Sequence, residues 1–359
     1  MTRALLDGSD APVDDAPAGA SRATSVRRRA GLTLGLAAAV AVLVVVCFVS
    51  VALGSRDVTP STVLHAFTAF DPTSTEHTVI REMRVPRTLL GLLAGAALGL
   101  GGALLQGVAR NPLADPGVMG VNAGAAVAIV VAIMTLGVQD AQGYVWFAFL
   151  GAGVATVVVY GIAAVGRDGA TPVKLALAGV AVTAALSSVT SAVLLTRTDV
   201  LQEMRLWQVG SLAGRYGPVL GQLAPYLVVG IIVALGFGRA LNGLALGDDV
   251  ARGLGQRVGL TRGLAFAVVA VLCGAATAAC GPIVFLGLVV PHAARLVCGP
   301  DYRWILPWTL VLAPTLLLVC DVVGRVVVAP GELQVGVVLG IIGAPVFVAL
   351  VRYRRTVAL

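Results

Sequence analysis

Uncharged apolar runs separated by short basic connections make up almost the whole chain. Such runs occupy residues 31–54, 88–109, 117–137, 143–165, 175–196 and 218–238. Each is near the ~20 residues that a hydrocarbon layer of ~30 Å demands of a spanning helix. They are apolar all round and show no amphipathic period, as expected of helices surrounded by lipid or by one another. Residues 263–294 are uncharged for longer than one helix needs, and the Gly281-Pro282 pair in their middle is a natural break. Two segments are therefore expected there, the second short. Runs at 304–320 and 333–351, parted by Pro330-Gly331, complete a count of about ten.

An even count puts both termini on one side of the membrane. Placing them in the cytoplasm assigns 17 of the 25 Lys and Arg residues to the inside and leaves Arg56, Arg81, Arg84, Arg87, Arg197, Arg205, Arg215 and Arg325 outside. That bias is the one expected of cytoplasmic loops. Residues 1–29, rich in Ala, Asp, Ser, Pro and Arg, cannot bury a core and read as a disordered cytoplasmic tail ending in Arg27, Arg28 and Arg29. A signal peptide fits less well, because the run at 31–54 is longer than an apolar signal core and lacks a convincing cleavage site. Residues 30–359 then form a transmembrane domain with its largest inside loop at about 239–262.

Composition agrees with this reading. The chain is 58% hydrophobic and 12% charged, with mean hydropathy +0.94, against about 25% charged residues in a soluble domain. The net charge of +7 resides between apolar runs, which sets orientation and argues against a nucleic-acid partner. Cys47, Cys273, Cys280, Cys298 and Cys320 lie in or beside apolar runs without CxxC spacing, so neither a disulfide frame nor a zinc site is expected.

Chemistry is sparse. No Asp, Glu, Lys or Arg falls in the central part of any expected span, so no mid-membrane proton relay is visible, which weighs against an ion-coupled secondary transporter. HExxH, a serine–base arrangement, clustered metal ligands and GxxxxGK[ST] are all absent from the sequence, which weighs against a membrane enzyme and against ATP hydrolysis by this chain. Energy for transport should come from a partner docked on the 239–262 loop. The Asn111-Pro112 and Asp115-Pro116 pairs read as a tight turn, and His292 as a hydrogen-bonded structural histidine. Gly95-Ala96-Ala97 with Gly102 recurs as Gly274-Ala275-Ala276 with Gly281, either an inverted repeat or the chance likeness of two close-packed helices.

Four blocks go further: RVPRTLLGLLAGAALGLGGALLQGVARNPLADPGVMGVNAGAA from Arg84, LALGDDVARGLG from Leu244, GPIVFLGLVVPHAARLVCGPDYR from Gly281 and GELQVGVVLGIIGAPVFVAL from Gly331. In this order they resemble the FecCD/BtuC-like permease subunits of binding-protein-dependent ABC importers for iron-siderophores, haem and cobalamin, over about residues 55–355. The resemblance implies an all-α integral membrane protein with the type II importer permease fold, about ten helices per subunit. It implies a second permease subunit, identical or similar, two cytoplasmic ABC ATPase subunits, an outer substrate-binding protein and surrounding membrane lipid.

Its cargo would be a ferric-siderophore complex, with cobalamin or haem as the alternative, and no cofactor or metal of its own. By resemblance, Leu246, Gly247, Asp248, Ala251, Leu254 and Gly255 couple to the ATPase. Arg84, Arg87 and Arg325 match arginines that meet acidic residues of the binding protein, although ordinary interfacial anchoring would also suit them. Thr183, Ser187 and Ser191, spaced i, i+4, i+8, lie on a helix that lines the path in the resembling family; helix packing is the alternative. The family's Glu-Leu-Pro before the last span is Glu332-Leu333-Gln334 here, which removes a proline from the first helical turn.

Overall fold

The computed structural model describes residues 18–54, 58–138, 140–166, 171–214 and 217–357. Among these, all regular structure is helical. Ten helices correspond to the expected runs: α1 (Ala18–Ala52), α2 (Val85–Ala109), α3 (Val121–Leu136), α4 (Ala141–Ala164), α5 (Pro172–Thr196), α6 (Gly217–Gly236), α7 (Val258–Cys280), α8 (Leu286–Cys298), α9 (Tyr302–Val327) and α10 (Val335–Val357). Seven helices among the described residues are long and apolar enough to cross a membrane, whereas α3, α8 and α10 contribute shorter apolar helices. Residues 1–17 of the expected tail lie outside the described residues, and α1 begins at Ala18, within the segment read as tail.

α2 is the central helix, packed by α6, α7, α8 and α9. Its sequence explains this position. Gly91, Gly95 and Gly99 recur every fourth residue and face Leu318, Pro314 and the Ala313–Thr309 turn of α9, where a methyl group would collide with each neighbour. Small residues in such a row let two backbones approach closely in lipid, where dispersion contacts replace the hydrophobic effect as the driving force. Among the α2 glycines Gly102 has the least room, and a methyl group there would collide with the carbonyl of Gly287 on α8.

The break expected at Gly281-Pro282 is present. α7 ends at Cys280, Gly281 adopts φ +74°, and the chain resumes helix only at Leu286. The carbonyl of Trp207 fills the space a Gly281 side chain would need.

Two boundaries differ from expectation for one reason. α9 continues past residue 320 through Asp321 and Arg325, and α2 is preceded by a continuous helical stretch, Thr75–Thr78 and the π-helical turn Val79–Arg84, that carries Arg81 and Arg84. Charges end an apolar run in a sequence, but they do not end a helix when they are paired. Two shorter helices were also unexpected: Pro60–Thr68, whose first turn is capped by Thr59 and opened by Pro60, and Thr198–Gln208, which follows α5.

Candidate functional site

At one end of the bundle, the loop between α6 and α7 forms two short helices, Gly238–Ala245 and Asp248–Gly253. Gly247 joins them with φ +105° and Gly255 closes the second with φ +81°, conformations that favour glycine. The pair is braced rigidly to the bundle. Asp248 Oδ1 accepts a hydrogen bond from Arg262 of α7 at 2.9 Å and pairs with Arg110, at the end of α2, at 3.3 Å. Gln256 Nε2 donates to the Ala240 carbonyl at 3.0 Å. Asn242 donates to Asp301 at 2.6 Å and accepts from the Tyr302 backbone N–H at 2.8 Å, tying the first short helix to the start of α9.

What the braces leave outward is apolar. Leu246, Val250 and Leu254, spaced i, i+4, i+8, are each more than half exposed, beside the exposed Asp249–Arg252 ion pair of 2.8 Å. Exposed apolar side chains on a polar connecting segment are a candidate protein-binding surface. Of the six residues expected to couple, Leu246 and Leu254 are on this stripe, Gly247 and Gly255 shape its turns, and Asp248 and Ala251 face inward, Ala251 fully buried. Val250 and Asp249 were not singled out from the sequence.

Around the opposite ends of α1, α2 and α9 sits a buried charge cluster. Asp321 on α9 receives two parallel hydrogen bonds from Arg87 of α2, Nη2 to Oδ1 at 2.8 Å and Nε to Oδ2 at 3.1 Å, and pairs with Arg325 one turn on at 3.0 Å. Arg87 also reaches Glu332 at 2.9 Å. Arg325 donates to the Ser50 and Leu53 carbonyls at the end of α1, at 2.9 and 2.8 Å. Arg84 donates to the neighbouring Val51 and Ala52 carbonyls at 3.1 and 2.6 Å. A hydroxyl pair, Ser50 with Thr88 at 2.8 Å, closes the set.

The structure thus brings Arg84, Arg87 and Arg325 together. It does not stand them on an exposed rim: Arg84 and Arg325 are buried, Arg87 nearly so, and they satisfy the orphan carbonyls of the α1 terminus and the chain's own carboxylates. Glu332 precedes α10 and serves as a counter-ion to Arg87. Asp321 is the member that sequence reasoning missed. It stands directly after the apolar run at 304–320, outside the uncharged stretch that marked the span.

α5 is mostly uncovered along its length, touching α3 and α4 on one side. Ser187 and Ser191 are exposed on it, and Thr183, a turn earlier, is half buried with a hydroxyl that has no hydrogen-bond partner among the described residues. The 111–117 turn is built as its residues require: Asn111 Oδ1 accepts from the Leu113 N–H at 3.0 Å and Asp115 Oδ1 from the Gly117 N–H at 2.8 Å. Among the described residues no group of three His, Cys, Asp or Glu is placed to hold a metal ion.

The FecCD transport family model matches residues 42–353. The ferric enterobactin transport system permease protein of Escherichia coli (strain K12) is 48% identical over 315 residues, covering 88% of this chain and 93% of the relative. The iron(3+)-hydroxamate import system permease protein FhuB of Bacillus subtilis (strain 168) is 40% identical, covering 91% and 85%. The cobalamin import system permease protein of Halobacterium salinarum (strain ATCC 700922 / JCM 11081 / NRC-1) is 39% identical, covering 81% and 78%. Among solved structures, an inward-facing ABC transporter of the metal-chelate type aligns with TM-score 0.78 at 26% identity, covering 89% of this chain and 98% of that one. With relatives of this identity along most of its length and an all-helical bundle of the same shape, the chain belongs to the FecCD transport family, as a permease subunit of an ABC importer.

Proposed function

We propose that this permease carries a ferric-siderophore complex into the cytoplasm, driven by an ABC ATPase seated on the stripe of Leu246, Val250 and Leu254. The observation that carries the mechanism is the pairing of an open apolar stripe with rigid braces to α2, α7 and α9. A surface that is bound by a partner and cannot flex locally transmits displacement to the helices it is tied to. Asp248 holds Arg110 and Arg262 and acts as the brace, while Leu246 and Leu254 act as contact residues and Gly247 and Gly255 keep the turns.

In this reading the stripe and both termini face the cytoplasm, as the basic-residue bias favours. A substrate-binding protein docks on the opposite face. Arg84, Arg87 and Arg325 shape that face from beneath, and Arg87 reaches the binding protein when an incoming carboxylate replaces Glu332, the most exposed member of the cluster. The uncovered face of α5, with Thr183, Ser187 and Ser191, borders the path against a second permease subunit. A weakly polar, uncharged wall suits a bulky chelate that must pass without being held.

The siderophore assignment is supported by the names of two relatives, a ferric enterobactin transport system permease and an iron(3+)-hydroxamate import system permease. It is tested by parallel uptake of labelled ferric siderophore, haem and cobalamin in cells with and without the gene. Loss of siderophore uptake alone is the expected result. Loss of cobalamin or haem uptake with siderophore uptake intact would overturn the substrate while leaving the importer class in place.

A further inference from the structure

We propose that a groove between the start of α1 and the start of α9 binds an anionic phospholipid, taking its phosphate on arginines and its upper acyl chain on an apolar floor. The groove has a volume of about 630 Å³. Arg28, Arg29 and Arg303 line its mouth, against a single carboxylate in the lining, Asp301. Arg28 is held in place by donating Nη2 to the Cys298 carbonyl at the end of α8, 3.3 Å away. Arg303 pairs with Asp301 at 2.8 Å yet keeps a side chain 56% exposed, so it has donors left for a second anion.

The floor follows from helical spacing. Leu32 and Leu36 stand one and two turns beyond Arg28 on the same face of α1, with Trp304 opposite them. An arginine mouth, a tryptophan at its edge and leucines beneath reproduce the polarity gradient of a lipid from phosphate to acyl chain. A soluble anion would use only the mouth. α1 packs on α9 along one side while only 6% of its apolar window is buried, so the groove lies at the margin of the bundle, where lipid would flank it. Basic pockets between spanning helices are recognised sites for acidic headgroups. The site lies at the same end as the coupling helices, because Asp301 is hydrogen-bonded to Asn242 and Gly238 packs on Arg303. The inference does not depend on the cargo.

The test is native mass spectrometry of the full-length chain after exchange into dioleoyl-phosphatidylglycerol or dioleoyl-phosphatidylethanolamine. Phosphatidylglycerol should be retained at least about fivefold better. R28Q/R303Q should abolish that preference, and R197Q, at the far end of the bundle, should keep it. Because Arg303 also holds Asp301, Arg29→Gln supplies a variant independent of that pair, and it should lower the preference with the melting temperature unchanged. Equal retention of the two lipids, or a preference that survives R28Q/R303Q, overturns the proposal. Displacement by free glycerol phosphate would make the ligand a soluble anion, and dimerisation through the same arginines in lipid-free detergent would make the occupant a second copy; either result contradicts it.

Discussion

Asp321 carries two arginines inside a membrane helix, and the cost of removing it is the clearest consequence at the level of single residues. Its bidentate bond to Arg87 and its i, i+4 pair with Arg325 neutralise charges that water does not reach. Replacing one partner of a buried pair leaves the other uncompensated, at about 3–5 kcal/mol. Asp321→Ala should therefore lower the unfolding free energy in detergent by that amount, measured by chemical denaturation. Glu332→Gln, partly exposed, should cost no more than about 1 kcal/mol.

Asp301 gives a pH signature. Hydrogen bonds from the Arg303 side chain, then from Asn242 and the Arg303 backbone N–H, hold its carboxyl at about 2 against the opposing effect of burial. A depressed acid stabilises the fold above the ordinary carboxylate range of about 4 and loses that contribution as pH falls toward 2. A melting-temperature series over that window should fall less steeply for Asp301→Asn than for the unmodified chain. The three arginines of the cluster were singled out in the sequence, but their partners were not. A pairing across more than 200 residues, as between Arg87 and Asp321, leaves no local trace.

Among elements, the coupling helices and α2 make opposite demands on sequence. Leu246, Val250 and Leu254 are each more than half exposed, so Val250→Asp with Leu254→Asp should leave the folded protein intact while cutting transport at least tenfold and releasing the ATPase on co-purification. Uptake and co-purification at unmodified levels would show that the stripe is not the contact. Gly102→Val, by contrast, drives a branched side chain into the Gly287 carbonyl and should abolish folded protein in the membrane, measured by detergent size-exclusion profile.

Helix positions were largely readable, since apolar runs and the Gly281-Pro282 break are local signals. The ends were not: α9 runs on through Asp321 and Arg325, and Thr198–Gln208 carries Asp199, Glu203 and Arg205 on an amphipathic helix. A scan for uncharged runs passes over both. The 239–262 loop was singled out from its text, but which of its residues point outward depended on the Asp248 brace, which only the fold supplies.

The molecule as a whole is asymmetric in burial. α2, α7 and α9 form a dense centre, while α1 and α5 lie mostly open at its margins. Such a subunit is built to be flanked, by lipid at α1 and, in the proposed assembly, by a second permease at α5. Its class was legible because four long blocks stand in family order, and the siderophore cargo expected from that resemblance agrees with relatives named for ferric enterobactin and iron(3+)-hydroxamates.

We propose that transport by this permease is driven by an ATPase acting through the short helices Gly238–Ala245 and Asp248–Gly253 rather than by the proton gradient. Uptake of labelled ferric siderophore by intact cells, with either ATP depleted or the proton gradient collapsed at constant ATP, tests it most directly. Uptake should stop when ATP is depleted and persist when the gradient alone is collapsed. Uptake that survives ATP depletion and follows the gradient would contradict the account.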